Sequence, residues 1–142
     1  MSLRFYTAGC WVLIATGLAH LLGHYGLMTS EGQNAPERQM LALMRGQKED
    51  MGLGFVRSMF DIVAGFSLTF AILSIGLGLT GLVARRHARA APALVRQTAI
   101  VYAGIYGIMT AVAFRYWFPA PLFFVAVTFL CFVGAVATAA RR

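Results

Sequence analysis

Two histidines, His20 and His24, stand four residues apart in the first apolar segment of this chain. That spacing sets both on one face of a helix, one turn apart. Imidazoles so placed can ligate one metal, pass a proton near neutral pH, or line one cavity. Farther along, Arg57 and Asp61 are also four apart, and Arg115 closes the third apolar run. An ionised side chain at the centre of a membrane helix costs about 2.5–3.5 kcal/mol on insertion scales, so such residues mark a site or a structural ion pair.

Several chemistries fit these residue types. In acid–base catalysis, His20 or His24 transfers a proton and Asp61 orients it or acts as its partner. Arg57 or Arg115 then stabilises a developing enolate-like charge. In a metal site, His20, His24 and Asp61 are the candidate ligands. Zinc wants four ligands, or three and a water, and the fourth position falls to water, Tyr25 or Glu37. Haem is disfavoured, because two histidines one turn apart on one helix cannot clasp an iron from opposite faces. In a binding site, Arg57, Arg115, Tyr25 and Tyr106 surround an anionic or carbonyl-bearing amphiphile whose tail lies between helices. The plainest alternative is structural: Arg57 and Asp61 neutralise each other as an intrahelical pair, with Arg57 snorkelling outward. These residues name no particular cofactor.

The elements that must position them follow from composition. The 142 residues are 59% hydrophobic and only 12% charged, against about 25% charged in soluble domains. The expected fold is an all-α integral membrane protein, a single four-transmembrane-helix bundle with spans near 5–27, 55–84, 96–118 and 121–140. Each reaches or approaches the ~20 residues that ~30 Å of hydrocarbon requires. Pro119 and Pro121 mark a tight hairpin between the last two. The first loop holds a short amphipathic helix, opened by Pro36 with Glu37 in its first turn and ended by Gly46. It is too short to span and is expected on the outer surface.

The net charge of +7 raises the question of nucleic acid, but its placement argues against that partner. Arg4, Arg85, Arg86, Arg89, Arg96, Arg141 and Arg142 gather at one set of helix ends. That is the positive-inside pattern, with both termini cytoplasmic. Met1 to Arg4 before an apolar run resembles a signal peptide. The run is long and lacks a convincing cleavage site, so it is read as a true first span. Cys10 and Cys131 fall in different spans and read as free, packed thiols. Glycines crowd the first span and residues 76–81, which suits close helix approach and permits a homo-oligomer.

The stretch Gly52-Leu53-Gly54-Phe55-Val56-Arg57-Ser58-Met59-Phe60-Asp61, continuing to Gly65-Phe66 after a His-bearing first helix, resembles a family of small uncharacterised bacterial four-helix inner-membrane proteins. The resemblance implies that fold and a bacterial inner-membrane location, and carries no assigned activity. In general arrangement the chain is also similar to emopamil-binding-protein-like sterol isomerases, without a residue-by-residue motif. Small multidrug-resistance transporters carry their coupling carboxylate in the first helix, where this chain has only histidines. Three functions are therefore expected in competition. The first is binding of a lipid-like or anionic amphiphile in an outer polar pocket. The others are a membrane enzyme using His20, His24 and Asp61, and a structural or accessory subunit.

Overall fold

A computed structural model describes Ser2 to Thr138. Arg141 and Arg142, counted above in the charge pattern, lie outside the described residues. The chain runs α1 (Leu3–Thr29), α2 (Ala35–Gly46), β1 (Lys48–Asp50), β2 (Val56–Ser58), α3 (Met59–Arg86), α4 (Pro92–Tyr116) and α5 (Pro119–Ala137). Of these, α1, α3, α4 and α5 are long and apolar enough to cross a membrane. Their surfaces carry large apolar side chains. Leu22, Phe66, Ile108 and Phe114 are each at least 70% exposed.

The second span does not begin at residue 55. Gly52, Leu53 and Gly54 have φ of +93°, +54° and +79°, a left-handed run that no right-handed helix can contain. The chain instead turns there, and Val56–Ser58 pairs antiparallel with Lys48–Asp50. Helix begins only at Met59. The third span starts earlier than expected, at Pro92, because proline is pre-set for the first helical turn. Pro119 opens α5 in the same way, after a link formed by Trp117 and Phe118.

The chain divides into two compact units. One comprises residues 1–16 and 73–142. Its core is Tyr6, Cys10, Leu13, Val95, Ala99, Tyr102, Tyr106, Val125 and Phe132, with neighbours. Tyr6 and Tyr102 each meet the Phe132 ring edge-on, at 5.7 and 5.0 Å between centroids. The Tyr102 hydroxyl donates to the Leu77 carbonyl at 3.0 Å. Here α1 and α3 approach closely. A Cβ on Gly78 would lie 2.7 Å from the Cys10 carbonyl oxygen, and one on Gly81 would strike the Cys10 sulfur.

The other unit comprises residues 17–72. It holds the C-terminal part of α1, the α2 segment, the hairpin and the opening of α3. Asn34 caps α2, its Oδ1 accepting from the Glu37 N–H at 2.9 Å, while the Glu37 carboxylate accepts from the Gln33 N–H at 2.8 Å. Arg45, in the last turn of α2, donates to the Ser30 carbonyl and stacks over the Phe60 ring. Leu41 and Phe60 are buried here.

Candidate functional site

The entrance to α3 sets the polar end of the site. Ser58 is the residue before the helix, and Asp61 sits three residues on. The Ser58 N–H and hydroxyl both donate to Asp61 Oδ2, at 2.9 and 2.8 Å, and the Asp61 N–H donates back to Ser58 Oγ at 3.1 Å. This is a reciprocal cap that satisfies amides the helix leaves without partners. The expected Arg57–Asp61 intrahelical pair does not form, because Arg57 lies on β2 rather than on the helix. Its Nη1 donates to the Val56 carbonyl at 2.8 Å, and its guanidinium sits 5.7 Å from the Phe55 ring centre.

Below this cap an open groove of about 360 Å³ runs down one face of α3. Arg57, Asp61, Ile62, Gly65, Phe66 and Thr69 line it. The residues recur at helical spacing, so polarity changes along the groove's length: charged at the mouth, apolar in the middle. Gly65 forms an empty stretch of wall, since a Cβ there would meet nothing within 4 Å.

The histidines lie in the same unit. His20 Nε2 and Ser67 Oγ are 3.1 Å apart, a contact across 47 residues of sequence whose donor depends on the imidazole tautomer. The His20 ring also meets Phe70 edge-on at 4.8 Å. His24 Nδ1 is buried without a hydrogen-bond partner among the described residues. Ser67 is a site residue that no spacing rule finds. The only hint is a hydroxyl within an apolar run, and serine is common there for helix packing alone. Tyr25, the other predicted contact on α1, is 70% exposed.

The structure does not gather the expected metal ligands. Among the described residues no three or more His, Cys, Asp or Glu side chains come together. The carboxylates of Asp61 and Glu37 are each turned to a helix start. Two other predicted ligand contacts belong to the first unit. Tyr106 is 2% exposed and is part of that unit's core rather than of a cavity wall. Arg115 is exposed, with its guanidinium 5.2 Å from the Tyr116 ring centre. Cys10 and Cys131 are free thiols, the first buried and the second half-buried.

No family model, curated protein or solved structure matches this chain.

Proposed function

We propose that this protein binds a lipid-like amphiphile in the α3 groove, in the outer half of a bacterial inner membrane, with both termini cytoplasmic. The observation that carries this is the groove's gradient, from Arg57 and Asp61 at the mouth to Ile62, Gly65 and Phe66 below. Arg57 has donors beyond the one given to Val56, and they suit a phosphate, carboxylate or carbonyl head. The missing side chain at Gly65 makes room for the start of a tail, and the Phe66 ring, 74% exposed, flanks it. Sites of this kind join apolar walls to a few convergent polar groups.

One observation favours a second reading, a membrane enzyme. The Ser67–His20 contact falls within the reach of a nucleophile and its base. In an acyl transfer, Ser67 Oγ would attack an ester carbonyl while His20 Nε2 takes its proton and returns it to the leaving alcohol.

Both readings are tested on protein reconstituted in lipid nanodiscs, with lipid extraction and intact-mass analysis. Wild type is expected to retain one enriched amphiphile per chain. Gly65→Phe, which fills the groove, and Arg57→Gln, which removes its cation, are expected to lose it while remaining folded. Equal lipid profiles in all three proteins would overturn the binding reading. An acyl mass adduct on wild type that disappears in Ser67→Ala would instead select the enzyme.

A further inference from the structure

The β1–β2 hairpin carries an unusual tip. Met51, Leu53, Phe55 and Val56 are respectively 53%, 98%, 57% and 49% exposed. No charge falls among residues 51–56, whereas Lys48, Glu49, Asp50 and Arg57 bracket them. Leu53 is the most exposed of these apolar side chains, and it holds φ +54°. An L side chain adopts that conformation only at a cost, and turn positions of this kind favour Gly or Asn. In water, a leucine at this position would lose on both backbone strain and exposure. An apolar surrounding would remove the cost of exposure.

The hairpin's place in the chain says what that surrounding is. Ser58 ends β2 and Met59 begins α3 with no linker between them. The hairpin therefore stands where this long apolar helix meets water. It also leans against the helix, since Met51, Glu49 and Arg57 share a small cleft with Met59 and Ile62. Met51, where the chain enters the tip, thus lies beside the first turn of α3. The Arg57 guanidinium sits 5.7 Å from the Phe55 ring centre, which sets a cation beside an apolar side chain.

We infer that the hairpin is an interfacial wedge: Leu53 and Phe55 insert into the outer leaflet just below the headgroups, and Lys48 and Arg57 meet the phosphates. This rests on the proposed topology of α3 and shares Arg57 with the amphiphile groove, whereas Leu53 and Phe55 line no part of that groove. The occupant is the bilayer itself, by continuity with the apolar surface of α3.

The test labels Leu53→Cys, and separately Phe55→Cys, with a polarity-sensitive fluorophore. Gln33→Cys, in the exposed turn before α2, is the aqueous control, and wild type gives the background from Cys10 and Cys131. Each protein is reconstituted in phosphatidylcholine–phosphatidylglycerol vesicles. At positions 53 and 55, emission is expected to shift to the blue. Quenching there by lipids doxyl-labelled near the headgroup should be several-fold stronger than at 33, and quenching by aqueous iodide several-fold weaker. Iodide quenching equal to that at 33 would overturn the wedge. So would protection from iodide without doxyl quenching that grows with protein density, which would assign the tip to a second copy of the chain.

Discussion

Ser58 and Asp61 exchange three hydrogen bonds at the mouth of α3, and this fixes what Asp61 can do. Its carboxylate completes a helix cap near a groove, so its removal disturbs folding as well as binding. Ser58→Ala is expected to lower unfolding free energy by about 0.5–2 kcal/mol, the usual cost of losing a cap residue. Asp61→Ala should also destabilise, and the double variant should lose less than the sum of the two, because both act in one cap. Denaturant unfolding in mild detergent checks this, and full additivity would refute the coupling. The pattern Ser-x-x-Asp is visible in the sequence as a capping box. It is obscured there by a competing i, i+4 reading of Arg57 with Asp61, which holds only if the helix extends back to Arg57. The pairing of Val56–Ser58 with Lys48–Asp50 decides the matter. By contrast, nothing local marks Ser67 as the partner of His20.

Helix lengths and faces follow from apolar runs and caps, so the long helices and α2 are legible in the order of residues alone. The hairpin is less so, since Lys48–Asp50 and Val56–Ser58 are short strands stabilised by each other. Glycines at 76, 78 and 81 look alike in sequence but differ in place. Gly76 faces open space, while Gly78 lies against the backbone of α1. Gly78→Val must therefore push two helices apart and is expected to cost about 1–3 kcal/mol, as other overpacked sites do. Gly76→Val should change stability little. Paired thermal unfolding of the two variants reads the difference, and equal losses would show that α1 and α3 are not in close contact at Gly78.

For the whole molecule, the arginine pattern predicts sidedness. One helix of membrane-crossing length, α3, separates Gln33 from His87 in sequence. In sealed, oriented vesicles a membrane-impermeant maleimide is expected to label Gln33→Cys from the outer face and His87→Cys only from the cytoplasmic face. Labelling of both from one side would refute a spanning α3. What the sequence alone determined was the helical, membrane-scale character of the chain, its four long apolar helices and its charge asymmetry. These are sums over local stretches, set by composition and period, and need no knowledge of neighbours. The tertiary structure decided which groups meet: Asp61 with Ser58, His20 with Ser67, Tyr106 with a packed core, and Arg57 with a groove along α3. A hydrogen-bond partner or a burial depends on where distant segments come to lie. Hydropathy fixes that a residue sits on an apolar helix, and only packing fixes what it faces.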